Sequence, residues 1–314
     1  MASGISIDFV SFAFATIRVM TPLLFASMAC LVYTKGGIDS IATEGIMLMC
    51  AMAGAAGAWL LGGPFQGLLF GMATGVALSF LFGYATLSLK ANPVLAGIAL
   101  NILAGGLTIF VIYYLTGEKG STQSLSSGTL PNVRVPLLAD VPVLGRILSG
   151  HNVLTYVSLL TVAALHFFLY KTRSGLRLRA AGENPQAAES VGLSVTRCKY
   201  LALFIAGALA GLGGAFMSLG YVSFFSKNMT AGRGFIGMAA ESMGHGVPGG
   251  VLLATLLFSV SDALSVQLQM MSLPPELMQL MPYLVTIVAI AVYSRHRARR
   301  RAAGPAADPK EVKP

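Results

Sequence analysis

The sequence predicts an all-α fold, a polytopic bundle of membrane-spanning helices with about eight crossings, some of them short or broken. Three observations predict it. Of the 314 residues, 55% are hydrophobic and only 11% charged, whereas a soluble domain carries about 25% charge; mean hydropathy is positive. Apolar stretches at 11–33, 45–63, 67–89, 94–115, 152–170, 200–222, 249–269 and 277–293 approach the ~20 residues that a helix needs to cross a bilayer. They are also continuous, which excludes the short alternating segments of a β-barrel.

Taken in order, the first stretch carries Arg18 and Pro22, and the stretch 249–269 carries Asp262. The residues before it are uncharged apart from Asp8; without a basic start, no cleavable signal peptide is expected. The stretch 116–151 is a Ser-, Gly- and Pro-rich loop in which "VPVLGRIL" (141–148) reads as a short interfacial helix. Cys30 and Cys50 fall in apolar spans and Cys198 in a polar insert, so packed or free thiols are expected and no disulfide framework.

Basic residues orient the bundle. Most of the 21 Lys and Arg lie in two groups, one from Lys171 to Lys199 and one from Arg295 to Lys313. By the positive-inside rule both are cytoplasmic, so the net charge of +9 is a topology signal and no nucleic-acid partner is expected. Two cytoplasmic ends enclose an even number of crossings, yet only three full-length stretches separate them. The missing one is assigned to "RGFIGMAAESMGH" (233–245), too short for a regular span and therefore a candidate cavity element. Counting back from Lys171 places the N-terminus outside, Lys35 and Lys90 inside, and loop 116–151 outside. A transmembrane domain would then cover 1–294, with a basic cytoplasmic tail at 295–314. "EGIMLMCAMAG" (44–54) shares the charge-Gly-apolar start of the short element, and parity has the two entering from opposite sides, as inverted repeats do.

The polar insert "TRSGLRLRAAGENPQAAESVGLSVTRCK" (172–199) contains its own helix signals. Asn184 suits a cap, Pro185 the first helical position and Gly192 the end, giving about two turns with Ala187, Ala188 and Val191 on one face. So short a helix persists only when docked, either on its own bundle or on a soluble partner.

This insert, with "MTAGRGFIGMAAESMG" downstream, closely resembles the permease subunits of ABC importers of the ribose and branched-chain amino acid type. "EGIMLM", "GIALNIL", "AGRGFI" and "MPYLVTIVAI" look like its nucleoside or "simple sugar" branch. The resemblance implies that 171–199 is a coupling loop whose helix fits a cleft of a cytoplasmic ATPase, with Gly182, Glu183, Asn184, Pro185, Ala187, Ala188 and Gly192 as its coupling residues. It also implies a second permease subunit, similar or identical, and an extracytoplasmic solute-binding protein. ATP and Mg would be held by the ATPase and no cofactor by this chain. The setting would be the bacterial cytoplasmic membrane, and the solute a nucleoside, with a sugar or another small polar solute as the alternative. One departure stands out: relatives read like "AAVIFGRWNPLG" where this chain has "AAESMGHGVPGG", which puts Glu241 and His245 in unexpected places.

Polar residues at membrane depth are the path candidates. Glu44 either lines a cavity or caps a helix. Asn101 contacts solute or bonds another helix. Arg233 snorkels to the outer surface or guards a cavity mouth. Glu241 faces water or pairs with a base, and Phe235 stacks on a nucleobase or packs. Asp262 is expected to make a structural hydrogen bond, and the lone His245 no metal site. An intramembrane enzyme is disfavoured, because the sequence has neither HExxH nor GxSxG and its acids are scattered; no catalytic residue is expected. Without a Walker A motif the chain is not the ATPase. An ATP-independent secondary transporter would share the broken helices, and the coupling loop is what separates the two.

Overall fold

The computed structural model describes residues 9–39, 41–118, 120–125, 127–133 and 144–269. Residues 1–263 form one compact unit. Of the second, 264–314, only the end of the last helix is described. The elements are α1 (Phe9–Lys35), α2 (Thr43–Leu61), α3 (Pro64–Gly83), α4 (Pro93–Thr116), α5 (Leu144–Leu148), α6 (Val153–Lys171), α7 (Arg173–Glu183), α8 (Pro185–Ser190), α9 (Val195–Phe216), α10 (Arg233–Met243) and α11 (Pro248–Gln269). Single π-helical turns, Tyr84–Ser88 and Met217–Tyr221, extend α3 and α9.

Seven helices among the described residues are long and apolar enough to cross a membrane. They coincide with the first seven apolar stretches; the eighth, 277–293, and the basic tail lie outside the described residues. Caps set the ends that hydropathy blurs. The Asn92 side chain accepts from the backbone of Val94 and Leu95 ahead of α4, and Asn152 accepts from Leu154 ahead of α6.

Small residues let the central helices α2, α3 and α9 approach backbone to backbone, the means by which helices associate where lipid is as apolar as the side chains. A Cβ on Gly75 would strike the carbonyl of Gly207, and one on Gly214 the carbonyl of Met47. Polar groups in this core are satisfied: the Ser79 hydroxyl donates to the Leu203 carbonyl (2.7 Å) and so accepts from the Tyr33 hydroxyl (2.7 Å). The apolar face of α4 is open, with Ile102 72% and Tyr114 80% exposed, as suits a helix surface that meets acyl chains.

Three expectations are corrected. The segment 44–54 is no separate short helix but the first half of the 19-residue α2; its continuous apolar run extends the helix to Leu61. The irregular backbone instead precedes it, at residues 36–39 and 41–42. The insert holds two helices, not one: α7 was hidden by its arginines and starts at the Thr172 side chain, which accepts from the Gly175 N–H. In α8 only Ala188 is buried, in a small cluster with Ala181 and Val195. Val191, past the helix end at Ser190, is 74% exposed, so the face predicted to unite it with Ala187 and Ala188 does not form.

Candidate transport path and coupling surface

Helix directions follow from close approaches. Along α9, Gly214 meets Met47 and Ser218 meets Gly54, so α2 runs parallel to α9; Gly36 meets Ala202 and Gly213 meets Phe25, so α1 runs opposite. In α10, Gly234 meets Glu44, Gly237 meets Ala26 and Ser27, and Glu241 lies by Thr34. Hence α10 runs with α1, and α2 and α10 diverge in opposite directions from a shared point at their N-termini.

That point is Glu44. Its residue is 8% exposed, and its two carboxylate oxygens accept from the backbone N–H of Gly232 (2.9 Å) and Gly234 (2.6 Å). Those donors have no partner within α10, and the helix dipole favours an anion there. Gly232, the cap residue, has φ of +83°, a conformation that glycine adopts without strain. Asn101 holds the partner helix: its Oδ1 accepts from Gly45 N–H (2.8 Å) and its Nδ2 donates to the Ile41 carbonyl (3.0 Å). Thus Asn101 brackets the entry to α2, where non-helical backbone at membrane depth needs partners.

Arg233 donates to Asp262 (3.2 Å), with the two side chains 19% and 21% exposed, and to the carbonyls of Met229 and Thr230. The structural bond expected of Asp262 is therefore an ion pair with Arg233, the arginine expected at the outer surface or at a cavity mouth. The signal was present in the sequence, because two opposite charges lay in otherwise apolar segments; their separation of 29 residues concealed the partnership. Phe235 is 43% exposed. His245 sits at φ of +56°, and among the described residues no group of His, Cys, Asp and Glu could hold a metal ion.

Glu241, 6% exposed, lines a cavity of about 300 Å³ with Thr34, Asp39, Ile41, Met238 and Ser242. Lys35 approaches from the other side: a Cβ on Gly246 would lie 2.8 Å from Lys35 Nζ and 3.6 Å from Glu241 Oε1. Glu241 thus both meets a cavity and neighbours a base. Neither Glu44 nor Asn101 is among the residues lining it.

On the candidate coupling surface, Asn184 Oδ1 accepts from Ala187 N–H (3.0 Å), Pro185 opens α8 and Gly192 has φ of +80°. Glu183 is reached by Arg179 at 3.8 Å and is itself 71% exposed. Gly182 packs against the turn after α1, where a Cβ would strike the Lys35 carbonyl and approach Gly37 N to 2.8 Å.

A second cavity of about 160 Å³ went unread in the sequence. It is lined by Phe14, Arg18, His151 and Asn152, among others. Arg18 donates to the Tyr221 carbonyl (2.6 Å) and lies 4.3 Å over the Tyr221 ring. His151 stacks on Phe14 at 4.0 Å and bonds the Ile147 carbonyl at 2.8 Å. Burial holds its imidazole below the ordinary value; the Ile147 carbonyl opposes this and the Arg18 charge adds to it.

Comparison with known proteins bears on this architecture. Residues 12–290 match the family described as "Branched-chain amino acid transport system / permease component". The nucleoside ABC transporter permease protein NupC of Lactococcus lactis is 34% identical, over 87% of this chain and 89% of its own. The guanosine ABC transporter permease protein NupQ of Bacillus subtilis is 31% identical, over 88% and 89%. A glucose ABC transporter permease protein of Haloferax volcanii is 28% identical, over 76% and 65%. With its multi-pass bundle matched nearly end to end, the chain belongs to this family of ABC transporter permease components.

Proposed function

We propose that this chain is the membrane-spanning subunit of an ATP-driven importer for nucleosides. It works with a second permease, similar or identical, and with cytoplasmic ATPase chains that hold ATP and Mg. An extracytoplasmic binding protein delivers the solute. The chain sits in a bacterial cytoplasmic membrane, N-terminus outside and basic tail inside; 1–294 is the permease domain, 171–199 its coupling loop and 116–151 its external loop.

The observation that carries this reading is the α7–α8 block. It is pinned to the bundle through Gly182 and Ala188, and it presents Ala187 and Val191 outward. An exposed apolar tip on a rigid cytoplasmic block suits a soluble motor, and an ATP-independent transporter has no use for one. For the solute, the names of two relatives, 34% and 31% identical, support a nucleoside. A sugar is the second reading, supported by the glucose permease relative.

Two aspartates test the coupling. Val191→Asp alters only the exposed tip, so transport and ATPase co-purification should be lost while yield and melting temperature stay unchanged. Ala188→Asp buries a charge in the local core and should lower stability as well. Full transport with the ATPase retained by Val191→Asp would remove the docking role. The solute follows from the ligand of whichever binding protein co-purifies.

A further inference from the structure

The 300 Å³ cavity at the end of α1 and α10 has a mixed lining: carboxylates of Asp39 and Glu241, hydroxyls of Thr34 and Ser242, and apolar walls from Ile41 and Met238. Its volume falls at the lower end of small-molecule sites, which run from about 300 to 1,000 Å³. The charge balance selects the ligand. An anion would face two carboxylates, and a cation would meet a Glu241 already neighboured by Lys35 Nζ. An ionised carboxylate accepts hydrogen bonds only, through about four lone-pair sites, so a neutral ligand rich in O–H donors is what remains. Vicinal hydroxyls on a sugar ring present two parallel donors, while an apolar or aromatic remainder can lie on Ile41 and Met238.

We propose that this cavity is a solute-holding site on the cytoplasmic side of the path, in which Glu241 and Asp39 accept the vicinal hydroxyls of a ribose or hexose ring. The proposal rests on the import reading above and names the part of the solute that is recognised. Glu241, buried at the cavity, then has a use: it gives this chain a polyol contact near the exit.

Ser242, exposed at the cavity, allows a test. The full chain carrying Ser242→Cys, with Cys30, Cys50 and Cys198 replaced by alanine, is placed in lipid nanodiscs and labelled with a small thiol reagent. Uridine, 2′,3′-dideoxyuridine and glucose serve as probes. Uridine is expected to slow labelling at least fivefold and dideoxyuridine to leave it unchanged. Adding Glu241→Gln should raise the uridine concentration needed by about tenfold, the size of effect typical of one hydrogen bond to a charged group. Equal protection by dideoxyuridine, or undiminished protection in Glu241→Gln, overturns the diol contact. Protection by glucose and not by uridine upholds the polyol site and sinks the nucleoside reading. No protection by any probe overturns the site and leaves the permease assignment standing. If Glu241→Gln fails to assemble, Asp39→Asn, an exposed position, carries the same comparison.

Discussion

Replacing Glu44 separates two roles that the sequence left open. Its carboxylate joins the start of α10 to α2 through the N–H groups of Gly232 and Gly234 at 2.9 and 2.6 Å. Hydrogen bonds to a charged group contribute about 1.5–3 kcal/mol each in water-soluble proteins, and polar contacts within membranes about 0.6–2 kcal/mol. Glu44→Ala removes both acceptors and leaves buried donors unpaired, so a loss of about 2–4 kcal/mol follows. Glu44→Gln keeps one carbonyl acceptor but turns an amide N–H₂ toward the second donor, for about half that loss. At about 2–4 °C per kcal/mol for a chain of this order of size, Glu44→Ala should melt roughly 10 °C lower in detergent and Glu44→Gln roughly 5 °C lower. Amide exchange should quicken first at residues 234–237. Unchanged melting and exchange in both variants, together with lost transport, would refute the cap and return Glu44 to the solute path.

Three further outcomes follow from the same geometry. Arg233→Gln and Asp262→Asn should each destabilise the chain by about 1–3 kcal/mol, and the double variant by less than their sum; a strictly additive result by thermal melting would mean that the 3.2 Å pair contributes nothing. Because burial lowers the His151 pKa, the unfolded chain binds a proton more readily than the folded one below about pH 6.5. Stability should therefore be flat above that pH and fall as pH drops toward the folded value, and His151→Gln should flatten melting curves taken from pH 8 to pH 5. Gly182→Ala forces a methyl group onto the Lys35 carbonyl, an overpacking cost of about 1–3 kcal/mol; transport should fall while the ATPase still co-purifies, and normal transport would show that the contact transmits nothing.

Long apolar runs were legible because a bilayer demands about 20 residues whatever the packing, and the first seven predicted spans match their helices to within a few residues at most ends. Helix α7 was not legible, because its stability comes from the Thr172 cap and from burial of Leu178 and Ala181 against the bundle, which local composition does not reveal. The same limit applies to the site. That Glu44, Asn101, Arg233, Glu241 and Asp262 need polar neighbours could be read from their depth; who met whom could not, since their partners lie 29 to 206 residues away in sequence or are backbone atoms. His151 and Arg18 were missed as neighbours because one lay in a loop and the other inside a span.

The contacts also connect the coupling surface to the cavity without an intervening soluble domain. Ala188 anchors α8 beside Ala181 of α7, and Gly182, the next residue, rests on Gly36 and Gly37. From there the chain runs through Asp39 and Ile41, which line the cavity, to the Ile41 carbonyl held by Asn101 and to Glu44, whose carboxylate starts α10. Helix α10 returns along α1 and ends with Glu241 in the same cavity. If α7–α8 is the coupling block proposed above, its displacement acts first on Gly36 and Gly37, and from there on Asp39 and Ile41 at the cavity and, by way of Glu44, on Glu241. Glycines flank α10 at Gly232 and Gly246, both at positive φ, a conformation that glycine adopts without strain. Such a linkage would move the cavity walls together, which is what the proposed importer needs if one stroke at α7–α8 is to open the proposed solute site and not merely shift the bundle.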